Sequence, residues 1–77
     1  MSHGYSQSLV QANKEVSARL LGVALGRYCI KQGISVSDTA ERFGVSRMTV
    51  YMWFKGERNP NPAVATQIQR YIKKRRT

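Results

Sequence analysis

The stretch S-V-S-D-T-A-E-R-F-G-V-S-R-M-T-V-Y-M-W-F-K-G, Ser35 to Gly56, decides how this chain folds. Its residue types predict two short helices joined by a tight turn. Ser35 is a good N-cap, and Asp38 three residues on completes a capping box for a helix over Val36 to Phe43. Gly44 stands where that helix must stop, in a left-handed conformation that costs glycine little. Val45 follows as an apolar plug, and Ser46 caps a second helix over Arg47 to Lys55 that ends at Gly56. Ala40 is small where the second helix must cross closely. Val50 and Trp53 share one face of that helix and can pack back onto Ala40 and Phe43.

A small residue, a glycine, an apolar residue and an aromatic at these offsets are what a helix-turn-helix requires. That motif pushes its second helix into the major groove of DNA. The run Thr39 to Pro60, T-A-E-R-F-G-V-S-R-M-T-V-Y-M-W-F-K-G-E-R-N-P, resembles the DNA-binding domain of the lambda repressor and Cro family. The A-x-x-x-G-V-S core, the late tryptophan and the following K-G-E-R-x-P carry the resemblance, which extends roughly from Leu20 to Ile72. Two positions depart from it. Val36 stands where the family often has a glutamine that helps hold a phosphate, and Thr39 stands where an apolar residue is usual.

Downstream, Glu57 to Pro62 reads as a rigid loop, because Pro60 and Pro62 restrict the residues before them. Asn61 caps a last helix with Pro62 at its first position, and Val64, Ile68, Tyr71 and Ile72 form its apolar stripe. Upstream, Ser8, Asn13 and Ser17 are all possible caps; a helix is expected from about Ser17 to Gln32, with a turn or two before it. Leu21, Leu25 and Tyr28 are its core stripe, Gly33 ends it, and Ile34 leads on as a staple-like residue. No strand pattern is present. The expected fold is therefore all-α, a compact bundle of four to five short helices around a central helix-turn-helix. The expected organisation is an N-terminal extension over 1–16, partly ordered or helical and polar and frayed over its first seven residues, a DNA-binding domain over 17–72, and a basic tail over 73–77.

The 77 residues suffice for one small domain. Lysine and arginine number 13 against 4 acidic residues, a formal net charge of +9, which implies a polyanionic partner. Nucleic acid is the first candidate and an anionic membrane surface the second. No apolar run approaches the ~20 residues of a bilayer span, and the start M-S-H-G-Y-S lacks a signal-peptide pattern. A single cysteine, Cys29, excludes an internal disulfide, suits a reducing cytoplasm, and reads by default as a small buried residue. His3 is the lone histidine, and no paired carboxylates or metal-ligand spacing stand out, so no enzyme, metal, cofactor or small-molecule ligand is expected.

On the second helix of the motif, Arg47, Met48, Tyr51 and Met52 are the candidate base contacts. Methionine methyls suit thymine, and arginine near the N-terminal end can fork onto guanine; Arg47 holding a phosphate is the alternative. Ser35, Ser46, Thr49, Lys55, Arg58 and Asn59 are the candidate phosphate contacts. Trp53 invites a single-strand stacking reading, but its spacing from Val50 favours the core; Phe54 is a candidate to pack on the last helix. The basic end, Lys73 to Arg76, reads as nonspecific phosphate attraction, with a solvated end as the alternative. A seven-residue stripe of Leu9, Val16, Val23 and Ile30, with Leu20, is a candidate homodimer surface; packing of Leu20, Val23 and Ile30 beneath the last helix is its rival.

The leading functional expectation is a sequence-specific double-stranded DNA-binding protein. It would be a Cro- or repressor-like regulator in the cytoplasm of a bacterial cell or a virus-infected one, blocking polymerase by occupying an operator. An excisionase-like recombination factor is a second reading, although such proteins follow their motif with a β-wing. A protein-interaction module, such as an antitoxin or an inhibitor, is a third, since fold alone does not fix function.

Overall fold

Five helices follow one another along the chain: α1 Gln7–Glu15, α2 Leu21–Gln32, α3 Val36–Phe43, α4 Arg47–Lys55 and α5 Pro62–Arg76. The computed structural model describes residues 6–17 and 19–76, with side chains through Lys73. His3 and most of the start expected to be frayed lie outside the described residues. No strand occurs among the described residues, and none of the helices is long and apolar enough to cross a membrane.

The motif helices have the expected bounds because their caps are local. Ser35 Oγ accepts from the Asp38 amide at 3.0 Å, Ser46 Oγ from the Thr49 amide at 3.1 Å, and Asn61 Oδ1 from the Val64 amide at 3.0 Å. Each satisfies one of the amides that a helix start leaves without a partner. Gly44 takes φ 67° and returns its amide to Ala40 and Glu41, closing α3.

The upstream half differs from expectation. The turn or two expected before Ser17 is a full helix, α1; a bend follows Glu15, and the helix expected from about Ser17 begins only at Leu21. Val16 is extended, and Ser17 serves a turn, its Oγ accepting from the Arg19 amide at 3.2 Å. The cause is tertiary. The Arg27 guanidinium of α2 donates to the carbonyls of Asn13 at 3.4 Å, Lys14 at 3.2 Å and Val16 at 2.6 Å. It thereby caps the C-terminal end of α1 and holds that helix folded back. At the other end of α1, Ser6 Oγ accepts from the Leu9 amide. The backbone of α5 stays helical to Arg76, into the segment read as a basic tail. Lysine and arginine are good helix formers and favour a helix C-terminus.

This bend dismantles the proposed dimer stripe. Leu9 and Val23 are inside the core, at 4% and 0% exposure, and they lie on different helices. Val16, Leu20 and Ile30 are half-buried. Leu20 and Val23 crowd Gly56 at the end of α4, where an added Cβ would come within 3.2 Å of either side chain. Burial inside one chain thus closes Leu9 and Val23 to a partner and leaves Val16, Leu20 and Ile30 half-covered.

The core gathers Leu25 and Cys29 of α2, Val36, Ala40 and Phe43 of α3, Val50, Trp53 and Phe54 of α4 and Ile68 of α5, with Leu9 of α1. An edge-to-face aromatic run crosses four helices: Tyr28 to Tyr71 at 5.8 Å, Tyr71 to Phe43 at 5.5 Å, and Phe43 to Trp53 at 6.4 Å. Thr39, polar where an apolar residue was anticipated, is buried but satisfied: its hydroxyl donates to the Ser35 carbonyl at 2.9 Å and lies 3.5 Å from Cys29 Sγ. Burial pushes the Cys29 thiol pKa up, partly offset by the Thr39 contact, so the sulfur stays a neutral core group.

Gly22 and Gly26 let α4 lie close across α2. A Cβ at Gly22 would sit 2.8 Å from the Trp53 carbonyl oxygen, and one at Gly26 would sit 2.6 Å from Asn13 Nδ2 and 2.8 Å from Phe54 Cγ. Gly26→Ala gains up to about 1 kcal/mol of helix propensity. Overpacking costs about 1–3 kcal/mol and should outweigh that gain, leaving a net loss of up to about 2 kcal/mol. A lower urea midpoint with unchanged slope is the expected result; a midpoint at or above the parent's would show that the two helices can separate at no cost.

Candidate nucleic-acid interface

α4 is amphipathic in a particular sense. Its inner face holds Val50, Trp53 and Phe54, all buried, so the helix is fixed in rotation about its own axis. Phe54, a candidate to pack on the last helix, lies against Gly26 of α2 and shares the core cluster with Ile68 of α5. The outer face then presents Arg47, Met48 and Tyr51, all exposed, with Met52 half-buried beside them. Met48 at 64% and Tyr51 at 39% are the large hydrophobic side chains left exposed among the described residues. Spacing by four places Arg47, Tyr51 and Lys55 in one row and Met48 and Met52 in the next. This surface combines a cationic group at the N-terminal end, methyl groups and a phenol.

The candidate phosphate contacts fall on several elements. Ser46 and Thr49 are joined, their hydroxyl oxygens 3.0 Å apart at the start of α4. Ser35 accepts a cap bond, which leaves its hydroxyl hydrogen for another acceptor, and the contact between Ser46 and Thr49 uses the hydrogen of only one of those two hydroxyls. Ser35 is half-buried at the start of α3, on a different element from the rest. Lys55, with its side chain 37% exposed, lies 3.6 Å from Glu57, a surface pair too weak to hold it. Arg58 and Asn59 are exposed in the loop after α4.

One neighbour was not legible in the sequence. Ser6, Ser8 and Leu9 of the α1 start border a cleft of about 180 Å³ together with Tyr51 and Lys55. The N-terminal helix therefore flanks the outer face of α4, and only the fold-back at 16–20 brings it there. A larger groove of about 940 Å³ between α3 and α5 is lined by residues such as Arg42, Arg70 and Tyr71 and by none of the α4 candidates.

A helix-turn-helix with its second helix buried on one face and presenting arginine, methionine and tyrosine on the other defines a DNA-binding domain. The family model described as helix-turn-helix matches residues 25–77, more than half of the chain. The chain belongs to this lambda repressor/Cro-like helix-turn-helix family. The match begins within α2 and leaves α1 outside. No curated protein and no solved structure matches the chain.

Proposed function

We propose that the protein is a sequence-specific, Cro- or repressor-like regulator that docks α4 in the major groove of an operator. The observation carrying this reading is the outer face of α4: Met48 and Tyr51 stand exposed beside Arg47 in a chain of net charge +9. Adjacent exposed apolar side chains rimmed by polar residues mark a surface that another molecule covers. In this reading Arg47, Met48, Tyr51 and Met52 touch base edges. Ser35, Ser46, Thr49, Lys55, Arg58 and Asn59 hold the phosphates. One such helix reads one half-site, which supports a homodimer on a two-fold operator in the cytoplasm of a bacterial or virus-infected bacterial cell. The chain after α4 runs through a loop into α5, which favours this reading over an excisionase-like factor with a β-wing.

Selection of binding sites from random duplex, at a stated salt concentration, tests the proposal. Two symmetric half-sites about 34–36 Å apart are expected; a single unpaired site would sink the dimer, and no enriched site would sink sequence specificity. On the selected site, Arg47→Ala is expected to cost about 1–3 kcal/mol and to relax preference at one base pair. Lys55→Ala should weaken all duplexes alike and reduce the salt slope by about 1. Equal weakening of every sequence by Arg47→Ala would reassign Arg47 to a phosphate.

A further inference from the structure

We propose that Asn13 is a positioning residue for DNA recognition, the middle link of a capping relay that runs from α2 through α1 to the end of α4. The inference rests on the DNA-docking reading of α4 above. A helix ends with four carbonyls that have no partner within it. In α4 these belong to Met52, Trp53, Phe54 and Lys55. Gly56 and Glu57 turn back onto the first two: the Gly56 amide donates to Met52 and Trp53, and the Glu57 amide to Met52 at 2.9 Å. The Phe54 carbonyl accepts from Asn13 Nδ2 at 2.7 Å, across 41 residues of chain. The same amide reaches the Val23 carbonyl at 3.2 Å, so one side chain ties α1 to both α2 and α4.

Asn13 is 1% exposed and among the most deeply buried polar residues described. An amide buried this far is costly unless its hydrogen bonds are made, so its two acceptors fix where it can sit. Its own helix end is fixed in turn. Arg27 of α2 donates to the carbonyls of Asn13, Lys14 and Val16. Gly26, one residue earlier, leaves the space that Asn13 Nδ2 occupies, since a Cβ there would lie 2.6 Å from it. Arg27 thus holds α1, and Asn13 on α1 holds the C-terminal end of α4. Tyr51 and Lys55, on the last turns of α4, border α1 directly. Movement at this joint would tilt the outer face of α4 relative to α3 and shift the groove-facing side chains together. The relay therefore bears on discrimination among sequences more than on attraction to phosphate. Much of it lies outside the part of the chain that defines the family, since Asn13 precedes residue 25 and only Gly26, Arg27 and Phe54 fall within the match.

The test uses the full chain, with Asn13→Ala, Arg27→Lys and, as a control, Ile68→Val. Ile68 is fully buried on α5 and has no side-chain hydrogen-bonding group, so shortening it makes a small cavity without removing any of the relay's bonds. Each variant is measured where circular dichroism shows it folded, against the selected duplex and a scrambled duplex at one salt concentration. Hydrogen exchange is followed in parallel at the Gly56 and Glu57 amides, relative to amides within α2. Asn13→Ala removes both side-chain bonds, and losing the one to the Phe54 carbonyl should lower the ratio of selected to scrambled affinity, and protection at Gly56 and Glu57, about tenfold. Arg27→Lys should move both readouts the same way by less, and Ile68→Val neither. Asn13→Ala behaving as Ile68→Val does would overturn the proposal. Should Asn13→Ala fail to fold, Arg27→Lys decides: both readouts unchanged would overturn it. Should the parent chain prefer no duplex at all, the DNA-docking reading fails, while protection at Gly56 and Glu57 still decides whether the relay caps α4.

Discussion

Trp53→Ala is expected to unfold the domain or to leave it barely folded. Trp53 is 3% exposed, its ring lies 6.4 Å from Phe43, and its backbone lies against Gly22 of α2. It therefore ties α4 to both α2 and α3. Truncating a buried tryptophan costs about 3–5 kcal/mol, because the transfer free energy is lost and a cavity remains. A domain of this length commands about 4–12 kcal/mol in all. The loss takes much of that margin. Thermal and urea unfolding followed by circular dichroism check the result. A variant that keeps its melting temperature but binds duplex less well would sink the structural role and return Trp53 to the groove.

The second large effect is on duplex affinity as salt is raised. Arg47, Lys55 and Arg58 surround the outer face of α4, and the chain's cations exceed its acids by 13 to 4. If one protomer neutralises about 4 to 6 phosphates, log affinity should fall with log salt at a slope near −4 to −5, through release of condensed counterions. Between ~50 and ~200 mM salt this amounts to a loss of about 250- to 1,000-fold. A dimer bound to both half-sites should show about twice the slope. Fluorescence anisotropy titrations at four or more salt concentrations supply the measurement. A slope near zero would remove the phosphate backbone as the main partner. A slope unchanged by Lys55→Ala would remove Lys55 from the phosphate contacts.

The outer face of α4 was legible in the sequence because it follows from the inner face. Once Val50 and Trp53 are set inward, helical geometry turns Arg47, Met48 and Tyr51 outward. The flank supplied by α1 was not legible in that way. Ser6 and Ser8 reach Tyr51 and Lys55 through a fold-back of the chain, and neither proline nor glycine marks the bend at 16–20. Without those breakers, Asn13 read only as a possible cap and Arg27 as one more residue of the helix expected from about Ser17. They are instead the groups that end one helix and hold another.

What the sequence by itself determined is the helix-turn-helix and the start of the last helix. Their signals act over three or four residues: Ser35, Ser46 and Asn61 each accept from an amide three positions on, and Gly44 closes α3 at φ 67°. Such interactions form within a single turn of chain and depend little on what packs around them. The tertiary structure alone decided where α1 ends, which apolar residues the core takes and how closely α2 and α4 approach. Asn13 meets Phe54 across 41 residues, and Gly26 matters because both of them fill the space beside it. Leu9 and Val23 fall inside for the same reason, because helices distant from them in sequence, α4 among them, close over them.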